Sequence, residues 1–338
     1  MTKNVKGILL VNLGTPDSTA VPDVRKYLKE FLMDKRVIDI PAFPRWLLVN
    51  LIIGPFRAPK SAKEYRKLFT DRGSPLKYYT EDLVAPLQEI LGEQYLVSYA
   101  MRYQSPSIES ELQKMKDADV SSIHVIPLFP QYASASTGSV IDKVMEITKS
   151  WQIIPDIKFT SQFLENEKFL EVISRNGQQW LEQADYDHVI FSYHGLPERQ
   201  IRKGSVGDQC QLGTCCNTFH KKNRFCYRAQ CFQTTRLLAE KLGLTEDQYT
   251  VCFQSRLGRD PWIKPYTDEV LEHLAKSGKK KVLAFSPAFV SDCLETTIEV
   301  GQEYKEKFME AGGEQWDLVE SLNSDPMWVE ALAEIVRG

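Results

Sequence analysis

Short apolar runs rich in β-branched residues alternate along this 338-residue chain with longer segments of helical periodicity. The apolar runs lie at residues 7–13, 95–100, 123–128, 188–193, 249–253 and 281–285, and helical periodicity is clear at 108–115, 234–242, 268–274 and 327–336. Strands that are apolar throughout and alternate with helices are typical of parallel sheets covered on both faces. The pattern therefore predicts an α/β fold built on parallel sheets.

The two halves of the sequence resemble each other. Residues 94–102 (QYLVSYAMR) align with residues 248–256 (QYTVCFQSR), and matches at other strand exits keep the same order. We interpret this as two similar Rossmann-like domains, 1–150 and 151–305, with a C-terminal helix in 306–338 that packs back on the first. Ligands of such sheets bind beyond the carboxyl ends of the strands, so we expect an active-site cleft between the domains. The alternative is chance similarity among strand-exit turns.

Charge and hydropathy exclude some classes of function. The net charge of −3 gives no electrostatic argument for nucleic-acid binding. The sequence has no apolar run of the roughly 18 residues that a membrane-spanning helix needs. Its first residues lead directly into a strand-like run, unlike a cleaved signal peptide. We therefore expect a cytoplasmic protein.

One histidine and a row of carboxylates stand out as functional candidates. His194 lies where a buried strand should end, directly before a glycine. Glu295, Glu299 and Glu303 are spaced so that a helix places all three carboxylates on one face. Like charges in a row repel, so a cation path, a proton relay or neutralising partners would explain them. The alternatives are a hydrogen-bonded buried histidine for His194 and a solvated helix face for Glu299 and Glu303.

Five of the seven cysteines fall within a polar stretch that we call the cysteine segment (residues 208–232). They are Cys210, Cys215, Cys216, Cys226 and Cys231. Four thiolates bind Zn²⁺ or an iron–sulfur cluster, and this spacing lacks the C-x₂-C pairs of zinc ribbons, which favours the cluster. Cys215 and Cys216 compete for one place, and His220 is an alternative ligand. Zinc, and unligated or disulfide-forming thiols, remain open.

Several motifs, taken together and in this order, resemble the ferrochelatase family, whose members insert Fe²⁺ into a porphyrin at the end of haem synthesis. The motifs are LVNLGTP (10–16), RGSPL (72–76), AMRY (100–103), PQY (130–132), TGS (137–139), the turn at His194, QSR (254–256), PW (261–262) and SDCLET (291–296). Each motif alone is weak, but the ordered set is specific. The resemblance covers residues 7 to 325.

The resemblance implies two chelatase-type domains and assigns roles to individual residues. His194 and Glu295 correspond to the central catalytic pair, in which the imidazole takes the pyrrole protons as the metal enters. Glu299 and Glu303 continue a metal and proton path from that pair. The implied porphyrin-binding residues are Leu13, Arg57, Tyr65, Ser74, Arg102, Tyr103, Trp262 and Phe289. For Trp262 and Phe289 the alternative is plain core, and for Arg102 it is an ion pair that clamps the domains together.

The activity implied is insertion of Fe²⁺ into protoporphyrin IX, with release of two protons. Insertion into coproporphyrin III is the nearest alternative, followed by a cobalt chelatase and a non-catalytic porphyrin carrier. Two positions depart from the family pattern. Relatives have Met or Tyr where this chain has Leu13, and a leucine cannot ligate metal. Some relatives have His where this chain has Cys293, which is either a soft metal contact or a small hydrophobe.

Two segments have further implied roles. The apolar stretch 43–56 corresponds to a lip at the porphyrin mouth, which would rest on the membrane surface; the alternative is an ordinary buried helix. The cysteine segment is an insertion relative to shorter relatives. Because some ferrochelatases carry a [2Fe–2S] cluster, the resemblance supports that cofactor here.

Overall fold

The computed structural model describes residues 4–256, 258 and 260–338. Their strands are β1 (Lys6–Gly14), β2 (Tyr95–Tyr103), β3 (Ser122–Pro127), β4 (Asp156–Phe159), β5 (His188–His194), β6 (Tyr249–Gln254), β7 (Lys281–Phe285) and β8 (Gln315–Leu318). These strands form two parallel sheets of four, ordered β2-β1-β3-β4 and β6-β5-β7-β8. The predicted α/β fold with two parallel sheets is confirmed.

Helices connect the strands in both sheets. The α-helices are α1 (Val21–Met33), α2 (Ala42–Leu47), α3 (Gly54–Leu68), α4 (Pro75–Asp82), α5 (Val84–Leu91), α6 (Ile108–Asp117), α7 (Thr137–Thr148), α8 (Glu167–Gln183), α9 (Glu198–Lys203), α10 (Tyr227–Leu242), α11 (Thr267–Lys276), α12 (Tyr304–Glu310) and α13 (Pro326–Arg337). Two π-helices, Leu48–Ile53 and Leu294–Glu303, and two 3₁₀ turns, Gly207–Gln209 and Thr214–Cys216, complete the described elements. No helix of the described residues is long and apolar enough to cross a membrane.

The chain divides into two compact units. Unit 1 comprises Met1–Phe129, Ser134–Gln162 and Val329–Gly338, and unit 2 comprises Pro130–Ala133 and Phe163–Trp328. The boundary between the units falls after Gln162, whereas the sequence predicts it after residue 150. The difference arises because β4 pairs with β3 of the first sheet.

The C-terminal segment also divides differently from the predicted boundary. Strand β8 pairs with β7, which keeps residues 306–328 in unit 2. The end of α13 belongs to unit 1, where Arg337 donates a hydrogen bond to the carbonyl of Ile90 at 2.9 Å.

The central strand of each sheet is buried throughout its apolar run. In β1, Leu9, Leu10 and Val11 are fully buried, and in β5, Ile190 and Phe191 are fully buried. Helices cover these strands with apolar side chains, so each unit has its own hydrophobic core. Because residues at strand exits leave that core, polar side chains there are free to carry chemistry.

Candidate active site

At the end of β5, directly after His194, the backbone of Gly195 lies close to the backbone of Gln254 at the end of β6. The amide N–H of Gly195 donates to the carbonyl of Gln254 at 2.8 Å. A Cβ atom at position 195 would lie 2.7 Å from that carbonyl oxygen and 3.1 Å from the ring of Trp262. Glycine is therefore required at this position, and it holds the half-buried His194 at the edge of the sheet.

The hydrogen bond of the imidazole fixes its tautomer. Nδ1 of His194 lies 2.7 Å from the carbonyl oxygen of Gly195. A carbonyl only accepts hydrogen bonds, so in the neutral imidazole Nδ1 carries the proton and Nε2 has the lone pair. The ring packs against Trp262, with centroids 6.4 Å apart, and Trp262 is itself half-buried. Trp262 is thus not fully enclosed, and its contact with a porphyrin stays a prediction.

The three glutamates lie on the second π-helix. Its wide turn is shown by the cap, where the N–H of Tyr304 donates to the carbonyl of Glu299, five residues earlier. Cys293 is the residue that caps the start of this helix, and its N–H donates to Oγ1 of Thr296 at 3.0 Å. Cys293 is buried, and burial together with the charge of Glu295 raises the pKa of its thiol well above the usual value. Cys293 is thus a helix cap held in its neutral form.

The glutamate row becomes more exposed along the π-helix. Glu295 and Glu299 are half-buried, whereas Glu303 is exposed. The carboxylate of Glu299 accepts hydrogen bonds from Oγ of Ser255 at 2.5 Å and from the hydroxyl of Tyr304 at 3.0 Å. Burial and the charge of Glu299 raise the pKa of Tyr304 far above its usual value, so that hydroxyl remains a donor. Glu299 is therefore anchored by neutral donors and does not lie on a solvated helix face.

Gln254 joins the histidine turn to the π-helix within unit 2. It lies opposite His194 in the register of β5 and β6, and its carbonyl accepts from Gly195. Its amide Nε2 donates to the carbonyl of Glu295 at 2.9 Å and to the carboxylate of Glu299 at 3.2 Å. The sequence places Gln254 and Ser255 in the QSR motif but indicates no role for them. Their position directly after the apolar run 249–253 was the signal available.

In unit 1, Arg102 and Tyr103 share one buried carboxylate. Arg102 Nη2 and the hydroxyl of Tyr103 donate to Oδ2 of Asp34 at 2.7 Å and 2.9 Å. Burial opposes ionisation of Asp34, but hydrogen bonds, led by that of Ser139, and the charge of Arg102 hold its pKa below the usual value. The ion pair of Arg102 thus lies within unit 1, so the alternative of a clamp between domains is wrong. Tyr103 is fully buried, which argues against direct contact with a porphyrin.

The other predicted porphyrin contacts differ in exposure. Tyr65 is buried against the rings of Tyr27 and Phe69. Ser74 is buried, and its hydroxyl has no hydrogen-bond partner among the described residues. Leu13 and Phe289 are half-buried, and Arg57 is exposed. Leu13, Phe289, Ser74 and Arg57 therefore stay predictions as ligand contacts.

Four thiols of the cysteine segment interact with one another. The Sγ atoms of Cys215 and Cys216 lie 3.9 Å apart, and Cys216 hydrogen-bonds Cys226. That bond and backbone N–H groups at the start of α10 lower the pKa of Cys226. Burial and the nearby thiols of Cys215 and Cys216 raise the pKa of Cys210. Cys231 is fully buried in α10.

These thiols do not surround a single point. Within the described part of the chain, no three His, Cys, Asp or Glu side chains are grouped so that they could hold one metal ion. His220 is exposed, and its Nδ1 accepts from the N–H of Lys222 at 3.2 Å.

Comparison with solved structures places the fold in a class. SirB from Bacillus subtilis with Fe³⁺ superposes with a TM-score of 0.54 at 13% identity, covering 98% of this chain and 94% of that one. The sirohydrochlorin chelatase SirB from B. subtilis subspecies spizizenii in complex with cobalt gives 0.52 at 12%, with the same coverage. The chain thus shares its α/β fold with these two structures.

Sequence comparison is more specific. The ferrochelatase family profile matches residues 5–338. A ferrochelatase of Legionella pneumophila (strain Lens) is 45% identical over 332 residues, 98% of either chain. A ferrochelatase of Coxiella burnetii (strain Dugway 5J108-111) is 43% identical over 339 residues, 99% of this chain and 94% of that one. The chain belongs to the ferrochelatase family. It is an enzyme, a lyase that inserts metal into a porphyrin.

Proposed function

We propose that this enzyme inserts Fe²⁺ into protoporphyrin IX to give protohaem, with release of two protons, in haem synthesis. Coproporphyrin III is the alternative substrate, because both porphyrins carry propionates that an arginine or a hydroxyl can bind. A cobalt chelatase is disfavoured, since Leu13 and Cys293 stand where additional metal-binding side chains would be expected. A non-catalytic carrier would have no use for a base beside a row of carboxylates.

The observation that carries this proposal is the fixed tautomer of His194. With Nδ1 bound to the carbonyl of Gly195, the Nε2 lone pair accepts a pyrrole proton. The same carbonyl then stabilises the imidazolium that forms. Glu295 guides the cation to the ring, and Glu299 and Glu303 continue the path toward solvent, in line with their increasing exposure.

An anaerobic Fe²⁺ insertion assay with both porphyrins side by side tests substrate and mechanism together. We expect higher kcat/KM with protoporphyrin IX. His194→Ala should abolish insertion of both Fe²⁺ and Zn²⁺ in a folded protein, because both reactions need the proton acceptor. His273→Ala, at an exposed histidine of α11, is the matched control and should retain activity. Near-normal turnover of His194→Ala would refute the assignment, and a preference for coproporphyrin III would reverse the choice of substrate.

The cysteine segment is the proposed site of a [2Fe–2S] cluster. A two-iron cluster takes two thiolates at each iron, so its four ligands need not surround one point. The mutual interactions of Cys210, Cys215, Cys216 and Cys226 support this donor set. Cys231, buried inside α10, is the least suitable of the five. A segment this polar buries little apolar surface, so ligation would supply folding free energy when the cluster is bound.

Colour and stability test the cluster. The purified protein should be reddish, with charge-transfer absorption in the visible, and Cys226→Ser should bleach it and lower the stability of unit 2. Cys252→Ser, at a buried cysteine of β6 outside the segment, should keep the colour. A colourless, anaerobically purified protein with one zinc per chain would disprove the cluster. Unchanged stability after metal loss would disprove its structural role.

Contact with the membrane surface is proposed for residues 43–56. Five large apolar side chains of this stretch are at least 47% exposed: Phe43, Trp46, Leu51, Ile52 and Phe56. This exposure is incompatible with the alternative of an ordinary buried helix. Val49 of the same stretch is fully buried. One face of the segment therefore packs against unit 1, and its other face is apolar and exposed to solvent. A cytoplasmic enzyme peripheral to the membrane would present such a face to the lipid.

A further inference from the structure

The first turn of α10 touches the backbone of His194. The hydroxyl of Tyr227, the first residue of that helix, donates to the carbonyl oxygen of His194 at 2.8 Å. Tyr227 is buried, so this bond is shielded from water. The other side of the same peptide is also bound, because the N–H of Gly195 donates to the carbonyl of Gln254 at 2.8 Å. The peptide between His194 and Gly195 is therefore held at both of its polar groups.

The position of Tyr227 is set by contacts other than its hydroxyl. Next to it, Arg228 donates from Nε and Nη2 to the carbonyl of Lys264 at 3.3 Å and 3.2 Å, and from Nη1 to the carbonyl of Gly213 at 3.2 Å. These bonds tie the start of α10 to the loop that carries Trp262. A change confined to the Tyr227 hydroxyl should therefore leave the helix in place.

The peptide bound by Tyr227 controls the imidazole. It fixes the position of Gly195, whose own carbonyl, in the next peptide, binds Nδ1 of His194 at 2.7 Å. If the peptide turned, Nδ1 would lose this acceptor, and the lone pair would no longer be confined to Nε2. We propose that Tyr227 is a positioning residue for metal insertion, acting through the His194–Gly195 peptide. The inference rests on the proposed role of His194.

Tyr227→Phe removes the hydroxyl and keeps the ring. We expect kcat for Fe²⁺ insertion to fall on the order of tenfold, as for loss of one buried hydrogen bond that matters in the transition state. The KM values for porphyrin and Fe²⁺ should change less than about twofold, because neither substrate loses a contact. If the role of Tyr227 were merely structural, the variant would have a lower melting temperature and a smaller active fraction. Its kcat per folded enzyme would then not fall while KM stays nearly constant.

Tyr193→Phe is the matched control. It removes the hydroxyl of another buried tyrosine of unit 2, which bonds Thr235 Oγ1 at 2.9 Å rather than the backbone carbonyl of His194. We expect a similar loss of thermal stability with kcat per folded enzyme unchanged. An equal fall of kcat in both variants would overturn the proposal, since it would reflect destabilisation alone.

The His194→Ala background separates the inference from the function on which it rests. If His194→Ala is active, the proposed role of His194 fails. If His194→Ala is inactive and Tyr227→Phe has the wild-type kcat, the positioning role alone fails. Where residual activity of His194→Ala is measurable, adding Tyr227→Phe should cause no further loss, because Tyr227 acts through the missing imidazole. An additive loss would contradict the proposal.

Discussion

Two glycines at strand ends show how a single residue allows neighbouring strands of a sheet to approach each other closely. Gly14 is the last residue of β1, with φ at 109°, and a Cβ there would lie 2.0 Å from the carbonyl oxygen of Tyr103. Gly195 follows β5 and meets the carbonyl of Gln254 in a similar way. In both places the neighbouring strand approaches too closely for a side chain. The sequence contains the glycine, but its partner lies in a distant segment, so the reason for it appears only in the fold.

The glutamate row allows a prediction at the same scale. Glu295→Gln should lower kcat at least about a hundredfold, because the proposed path places this carboxylate first in line to the ring. Glu299→Gln and Glu303→Gln should raise the KM for Fe²⁺ or slow turnover by a smaller factor, about three- to tenfold, because the proposed path places them farther from the ring. Steady-state assays over a range of Fe²⁺ concentrations measure these effects. Glu306→Gln, at an exposed glutamate of α12, should behave as wild type.

The order of the three effects is the critical result. Full activity of Glu295→Gln together with an inactive Glu303→Gln would mean that the path runs in the opposite direction. Equal effects at all three positions would mean that the row acts as one charged surface.

Among the elements, the strands with continuous apolar runs were predictable, whereas the short strands β4 and β8, each at one edge of its sheet, were not. Each of the six apolar runs forms a strand, because burial on both faces demands unbroken hydrophobic sequence. Strands β4 and β8 were missed. Each has four residues, alternates polar with apolar side chains and is partly exposed, so the sequence of either one is also typical of a loop.

The type of helix that carries the glutamates could not be predicted either. A spacing of four residues fits an α-helix, and it also fits the wider π-helix that the structure contains. What stabilises the π form comes from other elements. The indole N–H of Trp316 on β8 donates to the carbonyl of Val300 at 2.9 Å, and Gln254 donates to the carbonyl of Glu295. Neither contact follows from local sequence.

For the molecule as a whole, the internal similarity of the sequence predicted the repetition of the fold. Both sheets have the same order, with the strands of the aligned segments, β2 and β6, paired to the same side of β1 and β5. The boundary between the units was harder to predict, because it depends on the pairing of the short strands β4 and β8. His194 and the glutamates could be named as candidates from the sequence. Tyr227, Ser255 and Tyr304 were not, because their hydrogen bonds depend on tertiary contacts.

Each unit contains one buried histidine away from the predicted site. Nε2 of His124 in unit 1 lies 2.8 Å from Thr160 Oγ1, and Nε2 of His188 in unit 2 lies 2.9 Å from Thr250 Oγ1. Burial, with a smaller effect of a nearby lysine, lowers the pKa of each histidine to about 4. Both imidazoles are therefore neutral in the folded protein at pH 5, whereas the unfolded chain binds protons below about pH 6.5.

The stability of both units should consequently fall in acid. Because the unfolded state binds more protons between about pH 6.5 and 4, the free energy of unfolding rises with pH across this window and is unaffected by these groups above it. Each histidine should account for about 2 kcal/mol of the stability lost between pH about 7 and pH about 5. Denaturant titrations at pH about 5 and pH about 7 measure how much the free energy of unfolding falls in acid. The fall should be smaller for the double variant His124→Gln/His188→Gln than for wild type, because glutamine keeps a hydrogen-bonding side chain but does not titrate. His273→Gln should leave the difference unchanged, and a double variant with the wild-type pH dependence would show that other groups cause the acid sensitivity.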